Sequence, residues 1–236
     1  MAVSRRLVLV GSLTVLVGCS ATAPTSSGPT PDGVASLDGP ATVTLLRHGE
    51  SIASARGILS TVNPGQGLTQ QGAAEAKRVA GVLAARGYGA IFTSPLARAS
   101  QTAAAFAEVT GADVVVLDGL AEISAGAYEG HSASDYGADY LEYVDAWARG
   151  ELDGSIPGGE SGREFLARMD AAMTQVLDTD ARNVLVVSHG EAIRVWAGNR
   201  VLGATADAVR LGYNGFATLR PAPSGWQLTE AMPEGP

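Results

Sequence analysis

From Ala41 onward, short apolar runs alternate with stretches of helical period. Thr42-Val43-Thr44-Leu45-Leu46 reads as a buried strand. Between residues 68 and 86, Ala76, Val79, Ala80 and Leu83 recur on one helical face, and Gly87 follows as a stop signal. Residues 90–93 form a second short strand, and Ser94-Pro95 predicts a helix start with a serine cap and proline in the first turn. Residues 114–117 predict a third strand, and Phe165, Met169, Met173 and Val176 mark the buried face of a further helix. Asn183 to Val187 is a β-branched run leading straight into Ser188-His189-Gly190-Glu191 and another helix. Residues 216–219 and 226–229 predict edge strands, and residues 232–236 an unstructured end.

Strands alternating with helices imply an α/β fold: a mostly parallel central sheet covered on both faces, three layers in all. Ligand sites in such folds lie beyond the carboxyl ends of the strands. His48 and His189 fall just there.

Composition adds a boundary. Hydrophobic residues make up 46% and charged residues 17%, the balance of a globular chain. A net charge of −8 argues against nucleic acid or an anionic membrane surface as the main partner. The first 18 residues carry the marks of an export signal. Arg5 and Arg6 precede the apolar stretch Leu7 to Val17, which is too short to span a bilayer. Leu16-Val17-Gly18-Cys19 follows, and Cys19 is the single cysteine of the sequence, so no internal disulfide can form. Residues 19–40, rich in Ser, Thr, Pro and Gly, predict a flexible tether with a reach of roughly 25 Å. Residues 41–236 are then the folded domain.

The candidate chemistry begins at Leu46-Arg47-His48-Gly49-Glu50, a cation and a histidine directly after a buried strand. A glycine here permits a tight turn whose backbone N–H groups can face an anion. One such triplet means little. The repetition at Val187-Ser188-His189-Gly190-Glu191 means more, because two adjacent parallel strands ending this way bring both imidazoles to one pocket. Arg98 lies near the start of a helix, where a cation opposes the macrodipole unless an anion is also present. No cluster of His, Cys and carboxylates has metal-ligand spacing, so neither a metal nor another cofactor is expected.

Six ordered motifs complete the picture. They are Arg47 to Ser51; Leu68-Thr69 with Gly72; Ser94-Pro95-Leu96 with Arg98 and Gln101-Thr102-Ala103; Leu120-Ala121-Glu122 with Gly126 and Glu129-Gly130; Pro157 to Ser161; and Ser188-His189-Gly190. Between about Thr42 and Leu219 the chain resembles the histidine phosphatase superfamily, with its phosphoglycerate mutase-like fold. The resemblance implies a metal-free phosphomonoester hydrolase. His48 would be the nucleophile, its second ring nitrogen fixed by a nearby backbone carbonyl. Glu122 would be the proton donor, with a raised pKa. Arg47, Arg98 and His189, with Ser54 and Gly190, would hold the phosphoryl oxygens. Ser54 stands where many members carry asparagine. Glu50 is read as orienting the turn, His131 as a surface or rim residue, and Tyr140, Tyr143 and Trp147 as core or pocket lining.

The segment around Cys19 resembles the lipobox of bacterial lipoproteins, which implies cleavage before Cys19 and a lipid on its sulfur. An ordinary secretory signal with a chance cysteine is the alternative. Together these readings give an extracytoplasmic enzyme, anchored to the cell membrane through Cys19 alone and acting on a small phosphorylated substrate. A cell-surface binding module with weakened or lost turnover is the rival, and the export signal argues against a cytosolic mutase. Nothing in the pattern specifies an oligomeric state.

Overall fold

The computed structural model describes residues 40–236. The predicted signal, Cys19 and all of the predicted tether but Pro40 lie outside the described residues. None of the described helices is long and apolar enough to cross a membrane.

Six strands form one sheet in the order β3-β2-β4-β1-β5-β6. They are β1 (Thr42–Arg47), β2 (Ala90–Thr93), β3 (Val114–Val116), β4 (Asn183–Ser188), β5 (Phe216–Ala222) and β6 (Gly225–Met232). The first four run parallel, while β5 pairs antiparallel with β1, and β6 with β5. Successive side chains on a strand face opposite ways, and the core divides accordingly. Leu45, Val184 and Val186 pack on one face with α5 (Gly162–Leu177) and α6 (Gly190–Arg200). Leu46, Leu185 and Val187 pack on the other with α2 (Gln70–Leu83) and α3 (Ala97–Thr110). The result is the three-layer α/β architecture expected from the alternating pattern. A short α1 (Ile52–Ala55) follows β1, and α4 (Ala133–Ala148) joins the face of α5 and α6 through Tyr140, Val144 and Trp147.

Four local expectations need correction. The helix after β2 starts at Ala97, not at Ser94-Pro95, and its N-cap Leu96 supplies no side-chain bond. The Ser94 N–H still donates to Val187 O at 3.0 Å, so Ser94 stays in the sheet ladder and the chain bends at Pro95 and Leu96 before the helix begins. The helix predicted over 68–86 is regular from Gln70 to Leu83, tightens into a 3-10 turn, and stops at Gly87 (φ 64°). β5 is not an edge strand, because β6 covers its outer side. The end of the chain is ordered: Met232 closes β6, and Pro233 O accepts Gly212 N–H at 2.7 Å. The Arg86–Glu230 ion pair and a bond from Arg78 to Pro236 O tie this end to the α2 side.

Helix α2 carries two glycines with opposite duties. A Cβ at Gly72 would lie 2.2 Å from Glu50 O, so the helix start can approach the turn after β1 only without a side chain there. A Cβ at Gly81 would meet nothing within 4 Å. Gly81→Ala should therefore raise unfolding stability by about 0.5–1 kcal/mol. Gly72→Ala should lower it by about 2 kcal/mol, because the backbone must give way. Urea unfolding of the two variants checks the contrast, and equal effects would refute it.

Candidate active site

β1 and β4 are hydrogen-bonded neighbours in a register that sets Arg47 opposite Ser188. The next residue on each strand is a histidine, so parallel pairing alone juxtaposes His48 and His189. Their ring centroids are 5.0 Å apart, edge to face. His48 Nδ1 lies 2.6 Å from Gly49 O. A carbonyl only accepts, so Nδ1 carries the proton and Nε2 keeps its lone pair. Arg98 Nε–H donates to that Nε2 at 2.9 Å. Burial, then the charges of Arg98 and Arg47, push the His48 pKa well below its ordinary value. His189 is held neutral by burial and by the same arginines.

Arg47 and Arg98 are placed by different devices. Arg47 Nη1 donates to Leu211 O at 2.7 Å, and its guanidinium lies 4.4 Å over the Tyr213 ring. A Cβ at Gly190 would sit 3.1 Å from Arg47 Nε, so Gly190 acts by making room for that guanidinium. Arg98 is set by the first turn of α3, and Thr102 links that turn to the His48 loop. The Thr102 hydroxyl donates to Arg98 O at 2.8 Å and accepts Gly49 N–H at 3.1 Å. Arg47 Nε, Arg98 Nη1 and His189 Nδ1 are buried without hydrogen-bond partners among the described residues. Leaving buried polar groups unpaired costs about 1–3 kcal/mol each, so such a group of orphans marks a place for an anion.

Glu122 lines the same cavity. It accepts Ile123 N–H at 2.9 Å and Ala192 N–H at 2.8 Å, the latter from the first turn of α6. Burial, followed by the negative charge of Glu191, raises its pKa above the ordinary glutamate value. Its loop is clamped by Arg168, which donates to the carbonyls of Gly119, Ala121 and Glu122 at 2.9–3.0 Å. Arg168 is in turn paired with Glu160, whose carboxylate also accepts Ser124 N–H.

The cavity has a volume of about 350 Å³. His48, Arg47, Arg98, Glu122 and Ser54 line it. His189 is fully buried and stands behind His48, its Nε2 2.7 Å from the Ser94 hydroxyl. Ser54 is differently employed from the expectation. Its hydroxyl donates to Ser51 O at 3.0 Å and accepts Ser51 N–H at 3.0 Å, closing the cap of α1. In this arrangement it offers an anion no free donor. Glu50 accepts the Thr69 hydroxyl at 2.8 Å and so braces the turn against α2. His131 is exposed, with its ring 4.6 Å from that of Tyr136.

Three contributors escaped the sequence reading. Tyr213 sits in an irregular stretch with no pattern around it. Ser94 reads as a helix cap and instead contacts His189. Arg168 lies on a helix between the buried Leu166 and Met169, and its only sequence clue is Glu160 in the Gly-Gly-Glu-Ser motif.

The histidine phosphatase superfamily (branch 1) matches residues 43–231. The chain belongs to this superfamily. Among relatives of the superfamily member, 2-carboxy-D-arabinitol-1-phosphatase of Triticum aestivum is 28% identical over 95% of this chain and 44% of its own length. A probable phosphoglycerate mutase GpmB of Cronobacter sakazakii is 34% identical over 71% of this chain and 78% of its own. The mycobacterial glucosyl-3-phosphoglycerate phosphatase Rv2419c, solved with VO3, superposes with a TM-score of 0.69 at 25% identity, covering 82% of this chain and 99% of that one. The matched region spans only 27–47% of the length of several curated relatives, the Triticum aestivum phosphatase among them. The homologues thus include phosphatases of the superfamily.

The two neutral imidazoles set a pH dependence of stability. Their folded pKa values are lowered from 6.5, so the unfolded chain binds more protons once pH drops below that value. Stability contributed by this pair is full above about pH 6.5 and is lost as pH falls. The His48→Asn/His189→Asn variant should show a shallower decline in unfolding free energy between about pH 6.5 and 5 than the parent. An unchanged decline would mean that the imidazoles are charged in the folded protein.

Proposed function

We propose that the chain is a phosphomonoester hydrolase working through a phosphohistidine at His48, on substrates outside the cytoplasm, from a lipid anchor on Cys19. One observation carries the catalytic part. His48 Nδ1 is bound to Gly49 O, which puts the lone pair on Nε2, where Arg98 Nε–H holds it beside three buried, unpartnered N positions on Arg47, Arg98 and His189.

In the first step His48 Nε2 attacks phosphorus and the ester P–O bond breaks. Glu122, whose pKa is raised by burial and by Glu191, gives its proton to the departing alkoxide. Arg98 Nε–H, which now holds the lone pair, turns to a phosphoryl oxygen as the P–N bond forms. Arg47 and Arg98 then carry the equatorial charge that a metal carries in other phosphatases. In the second step water attacks phosphorus, the Glu122 carboxylate takes its proton, and the P–N bond breaks to return neutral His48.

Specificity follows from the charges around the cavity. Arg47 and Arg98 are the arginines among its described lining, and Glu122 and Glu191 are its acids. A monoester with an uncharged organic leaving group suits that distribution. A second phosphate or carboxylate would meet acids and no further cation. The relatives named for 2-carboxy-D-arabinitol 1-phosphate and glucosyl-3-phosphoglycerate act on acid-bearing substrates, so this site is expected to differ from theirs.

The purified protein should hydrolyse p-nitrophenyl phosphate in excess chelator, and His48→Ala should reduce the rate by about 10³-fold or more. Glu122→Gln should cut kcat/KM for alkyl phosphates by about 10²-fold or more while sparing kcat/KM for the nitrophenyl ester, whose leaving group needs no proton. Its kcat should fall for both, because water attack on the phosphohistidine loses its base. The substitution should also remove the alkaline limb of the pH profile, because deprotonation of a group with a raised pKa sets that limb. Turnover that survives in His48→Ala rejects the mechanism, and an inert parent protein favours the binding-module reading.

The anchor has a separate check. Cells fed radiolabelled palmitate should label the protein, and Cys19→Ser should lose both label and membrane association. An unlabelled parent protein rejects lipidation without touching the catalytic proposal.

A further inference from the structure

Helix α4 roofs the cavity, and at its fifth residue it carries a glycine, the poorest helix former after proline. The buried helical glycines Gly162 and Gly72 explain themselves by close packing: a Cβ at Gly162 would lie 2.8 Å from the Trp147 ring, and one at Gly72 2.2 Å from Glu50 O. Gly137 has no such reason. It is buried, yet a Cβ built on it meets only Ala133 Cβ, at an ordinary 3.6 Å. Its backbone is helical, so conformation does not require glycine either. A buried position with room for a side chain borders a void, and here the void is the cavity. Ala133, Gly137, Tyr140 and Leu141 all line it from one face of α4.

The facing wall is made by Ile58 and Leu59. It is fastened to the start of α4 through the backbone. Leu59 N–H donates to His131 O at 3.0 Å, Gly130 N–H to Leu59 O at 2.8 Å, and Ala133 N–H to Gly57 O at 2.7 Å. On the inner side Tyr140 OH donates to Ile123 O at 3.1 Å, next to Glu122. Roof, wall and acid loop therefore form one braced frame, and the width of the chamber is set by side-chain size. The notch at Ala133 and Gly137 widens it between Tyr140 and Leu141.

We infer that Gly137 sets the size of the leaving group, holding open an apolar notch for a ring-sized uncharged group on the ester oxygen of the phosphate. This inference rests on the phosphomonoesterase reading above. The phosphoryl end is bound by cations, while Ile58, Leu59, Leu141 and Tyr140 present carbon surface to whatever the phosphate is attached to. A side chain at 137 would fill the notch and exclude rings before it excludes small alkyl groups.

The test compares kcat/KM for 1-naphthyl phosphate and ethyl phosphate in the parent protein, Gly137→Ala and Gly137→Leu. The ratio of naphthyl to ethyl should fall by about tenfold or more in Gly137→Leu, with a smaller fall in Gly137→Ala. Gly137→Ala should keep or raise Tm, since it only adds a better helix former in open space; it carries the test if the leucine variant does not fold. An unchanged ratio in folded variants overturns the inference while leaving the phosphatase reading intact. A parent protein that hydrolyses neither ester overturns that reading, and the inference with it.

Discussion

The site depends on one register. Pairing β1 with β4 so that Arg47 faces Ser188 places two histidines side by side at the carboxyl end of the sheet. Because side chains alternate on a strand, a slip of one residue would exchange the two core faces, moving Leu45 and Leu46 into each other's layer. The hydrophobic core therefore holds the geometry of the candidate site in place. His48 N–H extends the ladder by one bond, donating to Ser188 O at 3.1 Å, so the backbone of the candidate nucleophile still belongs to the sheet.

What the register brings together is electrostatically costly. Two arginines and two imidazoles share a buried space, and the imidazoles respond by staying neutral. Neutrality has a structural consequence: a neutral ring has one donor and one acceptor, and the Gly49 carbonyl selects which nitrogen is which in His48. The orphaned N positions on Arg47, Arg98 and His189 express the same imbalance. Those on the two arginines are donors that carry charge toward an anion, and no carboxylate among the described residues hydrogen-bonds to them. Glu122 is tied instead to the first turn of α6, where N–H groups face outward and favour a carboxylate.

The parts of this arrangement that were legible in the sequence are those that leave a local pattern. Strands β1 and β4 are rich in β-branched and apolar residues, and each leads into a His-Gly pair whose glycine is needed for close approach. Arg98 near a helix start and Glu122 among spaced glycines also leave traces. The less legible parts are interactions between distant segments of chain. Ser94 looks like a cap because caps are usually serine, but its N–H remains in the sheet and its hydroxyl faces His189. Ser54 looks like a shortened phosphate ligand, yet a four-residue helix needs its cap more than the cavity needs a hydroxyl. The chain end looks like a tail by composition, and only the nearby glycines 212 and 215 allow it to dock. Tyr213 owes its place to Arg47, which no periodicity records.

The same division explains why Glu122 needs more apparatus than His48. A residue at a strand end inherits its position from the sheet, whereas Glu122 sits on irregular chain and must be located by contacts from several elements. Arg168 of α5 takes three carbonyls of its loop, Tyr140 of α4 takes Ile123 O, and α6 offers Ala192 N–H to its carboxylate. Each of these bonds comes from a different helix on one face of the sheet. The candidate proton donor is thereby fixed relative to the roof of the cavity as well as to its floor. Under the proposed mechanism, the acid that meets the leaving oxygen and the helix that accommodates the leaving group are held by one network. On that reading a change in α4 large enough to move Tyr140 would alter proton delivery together with substrate size, while a change confined to the notch would alter size alone.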